Sequence, residues 1–129
     1  MRLLLDSHIW VWLLQSPDRI AQPLLQQISD AEQLVLSAVC IWEIALKTQL
    51  GKLKMTVTPA ALRDEALNAI GAQELPILAV HTLAACALPT IHKDPFDRLL
   101  VAQAAIEHLT LVTADSAVRQ YPGAVLWAG

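Results

Sequence analysis

Four acidic residues far apart in the chain, Asp6, Glu43, Asp97 and Asp115, have the types and settings from which a phosphate-hydrolysing site could be built. Asp6 ends the apolar run Arg2–Leu5, where an unpaired carboxylate would be costly to bury. Glu43 stands on an otherwise apolar stretch, flanked by Ile41, Ile44 and Ala45, and an isolated charge there wants a partner. Carboxylates brought together repel and raise each other's pKa unless something positive lies between them. Mg²⁺ or Mn²⁺ meets that need, because these hard cations take oxygen ligands and keep several waters. An ion so held can activate water and neutralise charge developing on a phosphoryl group, which suits phosphodiester hydrolysis.

These residues converge only if the elements around them place them together. Arg2–Leu5 reads as a buried first strand and His8–Gln15 as a short helix. Ser16-Pro17 and Gln22-Pro23 each open a helical segment with proline in its first turn, covering the chain to Ala31. Gln33–Leu36 reads as the second strand, after which Ser37 caps a helix from Ala38 to about Leu50 that Gly51 stops. A helix from Thr58-Pro59 to Gly71, a weak third strand at Glu74–Pro76 and a helix at Leu78–Leu88 follow. Asp94-Pro95 opens an amphipathic helix running to His108. Leu109–Thr113 is the fourth strand, Ser116–Gln120 a short helix and Ala124–Trp127 the last strand. Strands alternating with helices predict an α/β fold of three layers around a parallel sheet.

Ligands of such sheets bind beyond the carboxyl ends of the strands. Asp6 is the residue immediately after strand one and Asp115 follows strand four, so both point to that edge. Asp97 lies in the first turn of a helix that descends from it. Glu43, six residues past the Ser37 cap, sits about 9 Å below the top of its helix, within reach of the edge. Lys47, His92, Lys93 and Arg98 are expected near the same edge.

Plainer roles compete for several residues. Asp94 suits the cap of the helix it precedes, and that role is preferred to a metal role. Asp115 could cap the turn at Ser116. His8, beside Asp6, is given no catalytic part, and His81, His92 and His108 show no metal-ligand spacing. Ser7 has no triad partners. Trp10, Trp12 and Trp42 sit at helical spacing among aliphatics, as expected of core or dimer contacts rather than a base-stacking platform.

Composition bounds the reading. The 129 residues fit one domain, residues 1–129, and the 55% apolar fraction supports both a core and an apolar face for a partner. Cys40 and Cys86 are far apart in apolar stretches, which predicts free thiols in a reducing, cytoplasmic setting. Leu75–Ile91 is broken by Pro76, His81 and Pro89, so no membrane span is expected. The net charge of −3 lacks the basic footprint of a nucleic-acid binder. Bound metal ions would supply the missing positive charge locally.

Four stretches together resemble a known family. Leu4-Leu5-Asp6-Ser7-His8-Ile9-Trp10 is similar to the opening motif of PIN domains of the VapC group, the ribonuclease toxins of type II toxin–antitoxin pairs. The second, third and fourth motifs are resembled by Ser37 to Ala45 around Glu43, by Asp94 to Ala104 around Asp97, and by Thr113-Ala114-Asp115. The order and spacing match over essentially the whole chain. The resemblance implies a five-stranded parallel sheet and an Mg²⁺- or Mn²⁺-dependent endoribonuclease. It makes Asp6, Glu43, Asp97 and Asp115 the catalytic, metal-binding carboxylates, with Thr113 in support and Asp94 an additional acid. It also implies an RNA substrate, a homodimer and a VapB-like antitoxin that inserts a segment near the active site. A PIN-like domain that binds RNA or protein without cleaving is the alternative. A receiver-type signalling domain would need paired acids after strand one and a late lysine, and an aspartate phosphatase would need Asp-x-Asp where Asp6-Ser7-His8 stands.

Overall fold

The apolar runs that end near Asp6 and Asp115 become neighbouring strands at the centre of a sheet. The computed structural model describes residues 1–123 and 125–127. Strands β1 (Arg2–Leu5), β2 (Gln33–Ser37), β3 (Gln73–Leu75), β4 (Thr110–Thr113) and β5 (Val125–Trp127) pair in parallel in the order β3-β2-β1-β4-β5. Ala124, expected to open the last strand, lies outside the described residues. Leu3, Leu4 and Leu5 are fully buried, as expected of a central strand covered on both faces. Right-handed crossovers, the rule for parallel strands, lay the connections before β3 on one face and those after it on the other. The strand order therefore reverses between β1 and β4, the place where open α/β sheets bind ligands.

The connections carry helices α1 (Ser7–Gln15), α2 (Gln22–Asp30), α3 (Ala38–Gln49), α4 (Pro59–Asp64), α5 (Ala79–Ala87) and α6 (Pro95–Ile106). Helix α1 starts one residue earlier than expected because Asp6 itself is its cap, with Oδ1 accepting the Ile9 N–H at 2.9 Å. Ser37 caps α3 by accepting the Val39 N–H. The stretch expected as one helix to Gly71 is α-helical only to Asp64 and then widens into a π-turn at Glu65–Ile70. Gly71 ends it with a φ of 81°, a left-handed conformation that glycine adopts without steric cost. Strand β3 stops at Leu75 rather than Pro76, which has no N–H to donate, and the Pro76 carbonyl turns to the Gln103 side chain at 3.1 Å.

A buried polar chain ties α3, α5 and α6 together. Ser37 Oγ donates to Gln103 Oε1 at 2.6 Å, and Gln103 Nε2 lies 3.2 Å from His81 Nδ1. His81 Nδ1 also accepts the Leu78 N–H, so the ring proton belongs on Nε2, which meets the Glu107 carboxylate at 2.9 Å. Gln103 and His81 are fully buried, and every polar atom named here has a partner. The helix that carries Glu43 is thereby locked to the helix that carries Asp97.

Candidate active site

Five carboxylates meet at the carboxyl edge of the sheet. Asp6, Glu43, Asp94, Asp97 and Asp115 line one open cavity of about 300 Å³, together with His8, Trp12, Lys47 and Ala114. The four acids singled out in the sequence are all brought together, and Asp94 joins them while also capping α6 through the Phe96 N–H at 2.9 Å. Asp115 likewise caps the turn after it, with Oδ1 accepting the Ala117 N–H at 2.8 Å, and still faces the cavity. The plainer roles and the site roles are therefore compatible in both residues.

Each acid is held by neighbours that fix its direction. Asp6 is buried, and burial pushes its pKa up; the Thr113 hydroxyl, the Ile9 amide, His8 and the Ala114 amide pull the other way. Thr113 is fully buried, and its Oγ1 also accepts the Asp115 N–H at 3.0 Å, so one side chain steadies both strand-end acids. Glu43 is buried, with Oε1 accepting from Ser7 Oγ at 2.6 Å and Oε2 from Lys47 Nζ at 2.5 Å. Burial works to lower the Lys47 pKa, but the hydrogen bond and charge of Glu43, with Asp94 and Asp97, carry it above its ordinary value. Asp97 is pushed up to about 7, first by burial and then by the charge of Asp94, with Glu43 and Asp6 adding to it against the His92 hydrogen bond. A carboxyl group so placed is short of positive charge.

Two residues enter the site that spacing alone did not single out as functional. Ser7 donates its hydroxyl to Glu43 and so sets the direction of that carboxylate. His92 places Nε2 2.8 Å from Asp97 Oδ2 and 3.3 Å from Asp115 Oδ2. The donor atoms of His92, Asp94 and Asp97 all lie within 4.8 Å of one another. The signal for His92 was its place two residues before Asp94, which reads as loop and gives no sign that the ring meets Asp97 and Asp115.

Of the four cationic residues expected at this edge, two belong elsewhere. Arg98 turns away, donating to the carbonyls of Ala85, Leu88, Pro89 and His92 and to the Tyr121 hydroxyl. Lys93 is exposed and lines a separate depression with Cys86 and Arg98. The tryptophans also divide. Trp10 is core, Trp12 edges the acidic cavity beneath Arg19, and Trp42 is 57% exposed, with Phe96 edge-on to it at 4.9 Å. Cys40 is buried and its thiol pKa is pushed far up by that burial, while Cys86 is exposed; both are free.

The donor set fits a hard divalent cation. It consists of carboxylate oxygens from β1, α3, α6 and the turn after β4, grouped at one edge and partly buried. Among the described residues no helix is long and apolar enough to cross a membrane.

Comparison with known proteins agrees with this architecture. Ribonuclease VapC22 of Mycobacterium tuberculosis is 29% identical over 121 residues, covering 92% of this chain and 91% of the relative. The solved VapBC2 complex of Rickettsia felis, bound to a DNA fragment from its promoter, has a TM-score of 0.70 at 19% identity. It covers 98% of this chain and 97% of the matched chain. DNA-bound VapBC from Salmonella typhimurium has a TM-score of 0.69 at 11% identity, covering 100% and 99%. These two likenesses are likenesses of fold. The model of the PIN-domain family matches residues 3–124, nearly the whole chain, and the chain belongs to that family.

Proposed function

We propose that this PIN domain is a metal-dependent endoribonuclease and the toxin of a toxin–antitoxin pair. The observation that carries the reading is the meeting of Asp6, Glu43, Asp97 and Asp115 in one cavity at the switch point of the sheet. The relative named a ribonuclease and the VapBC complexes of like fold support it. The four acids, with Asp94 beside them, would hold Mg²⁺ or Mn²⁺. Once bound, such an ion supplies an activated water and neutralises charge on the phosphate under attack.

The chain's own residues have separate tasks in this scheme. Thr113 holds Asp6 and Asp115 side by side, and Ser7 and Lys47 hold the two oxygens of Glu43. Lys47, at the rim of the cavity, is placed to meet a phosphate oxygen of an incoming strand. Burial and the charge of Asp94 keep a proton on Asp97 to about 7, so an ion would compete with that proton for the carboxylate and bind better as pH rises through this range. RNA is the substrate in this reading, with local positive charge at the cavity in place of a basic surface.

The inferred partners are a VapB-like antitoxin and a second copy of the chain. A groove lined by Ser7, His8, Val11, Ile44, Lys47, Lys52 and Leu53 adjoins the acidic cavity, sharing Glu43 with it, and offers an apolar seat for an antitoxin segment. Leu78, just before α5, and Val80 and Leu83 within it are exposed, Leu83 at 72%, which supports a homodimer face there. The test is chemical. Labelled RNA should be cut with Mn²⁺ or Mg²⁺, remain intact in EDTA, and yield ends without a 2′,3′-cyclic phosphate, because water rather than the 2′-hydroxyl attacks. Cleavage that survives EDTA and leaves cyclic ends would reject the reading.

A further inference from the structure

Resting on that reading, we propose that His92 supplies a nitrogen ligand to the ion, so that the centre is a mixed imidazole–carboxylate site rather than an all-oxygen one. Adjacent ligands of an octahedral ion at about 2.1 Å lie about 3 Å apart. His92 Nε2 stands 2.8 Å from Asp97 Oδ2 and 3.3 Å from Asp115 Oδ2, on either side of that spacing. The donor atoms of His92, Asp94 and Asp97 are close enough together to face one ion.

The ring does not reach this place by chance of a free side chain. The His92 N–H donates to the Tyr121 hydroxyl at 2.9 Å, and its carbonyl accepts from Arg98 Nη1 at 3.2 Å. Tyr121 is buried, and its hydroxyl lies 3.1 Å from the Pro89 carbonyl. Arg98 meets the carbonyls of Leu88, Pro89 and His92 in the turn between α5 and α6 and that of Ala85 in the last turn of α5, and among the described residues it pairs with no carboxylate. A buried tyrosine and a whole guanidinium are thus devoted to one turn, and that turn ends by presenting an imidazole to the carboxylates. Because the clamp grips the backbone, removing the His92 side chain leaves the turn in place.

An imidazole donor favours Mn²⁺ over Mg²⁺, since nitrogen ligands suit the transition ion and Mg²⁺ demands oxygen. The test is pulsed electron paramagnetic resonance of Mn²⁺ bound to the whole chain, with calorimetry of Mn²⁺ and Mg²⁺ beside it. The expected result is a ¹⁴N coupling that persists in His8→Ala and is lost in His92→Ala. His92→Ala should weaken Mn²⁺ by at least about tenfold and Mg²⁺ much less. Mn²⁺ that binds with no nitrogen coupling, or whose coupling survives in His92→Ala, overturns the proposal and leaves the nuclease reading standing. A chain that binds neither ion overturns both.

Discussion

Ser7 Oγ donates to Glu43 Oε1 at 2.6 Å, joining the first turn of α1 to the middle of α3 across 36 residues of sequence. Both side chains are buried, so the bond fixes the one site acid that arises from mid-helix rather than from a strand end, a helix cap or a helix's first turn. Ser7→Ala should therefore misdirect Glu43 without removing it. The expected outcome is a cleavage rate lowered by about 10–100-fold, the range for outer contacts of metal ligands. Loss of a buried donor should also cost about 1–3 kcal/mol in urea unfolding. A rate unchanged within error would show that Glu43 needs no such support.

Asp6→Asn should keep the cap of α1, because the amide oxygen can still accept the Ile9 N–H. It also removes a carboxylate whose pKa burial has raised. The metal-free variant is expected to melt no lower than the parent chain. Added Mn²⁺ should raise the melting temperature of the parent and leave the variant nearly unmoved. A thermal scan of both proteins, with and without metal, checks this.

The stability of the metal-free chain should fall as pH rises. Asp97 keeps its proton to about 7 in the folded chain against an ordinary 3.8, and the Asp6 and His92 values are also raised. For His92, burial opposes the rise, and the Asp97 hydrogen bond with the charges of Asp115, Asp97 and Asp94 overcomes it. In all three cases the folded state binds more protons than the unfolded one between the two pKa values, so the stability slope with pH is negative there. For Asp97 that window runs from about 4 to about 7. The lowered pKa of Glu74 works in the opposite sense, but its pairing with Arg63 is at the surface and weak. Saturating Mn²⁺ should flatten the decline. Urea midpoints measured across the window would contradict this if they rose.

How far the sequence reached depends on where each residue stands. Asp6 and Asp115 were legible because a polar residue one or two positions past a buried parallel strand stands at the carboxyl edge. Asp97 was legible from the proline-started helix that descends into β4. Glu43 was legible as a lone charge among aliphatics, but its partner Ser7 was assigned no such role, since a contact across 36 residues leaves no local pattern. Lys47, four residues on along the same helix, was expected at the edge without being paired to Glu43. His92, in the turn, and Arg98, six residues on in the first turns of α6, part company, the ring meeting the carboxylates and the guanidinium reaching back to the loop. Only the path of residues 88–92 decides that. Spacing located the five strands, while the π-turn at Glu65–Ile70 shares its residues' helical propensity and left no signal.

Gln103 offers a check on the frame beneath the site. It bridges Ser37 and His81 from a fully buried position on α6. Gln103→Leu should leave the Ser37 hydroxyl and the Pro76 carbonyl without their partner, with a loss of about 1–3 kcal/mol for each unsatisfied group. Cleavage should fall as well, since α3 and α6 carry Glu43 and Asp97. Equilibrium unfolding and a cleavage assay on the same preparation would separate the two effects.

Leu83 bears on assembly. At 72% exposure it is the most exposed large apolar side chain among the described residues, and Leu83→Arg should turn a dimer into a monomer in sedimentation experiments. A parent chain that sediments as a monomer would contradict the inferred second copy.

The central claim is that the clustered carboxylates cut RNA through a bound metal ion. Its most direct test is cleavage of a labelled RNA panel by the purified chain with Mn²⁺, Mg²⁺ or EDTA, beside Asp6→Asn. The prediction is cleavage with either metal, none in EDTA, and loss of at least about 10²-fold in the folded variant, as for removal of a group that stabilises developing charge. Cleavage undiminished in Asp6→Asn, or none by the parent on any RNA, would contradict it.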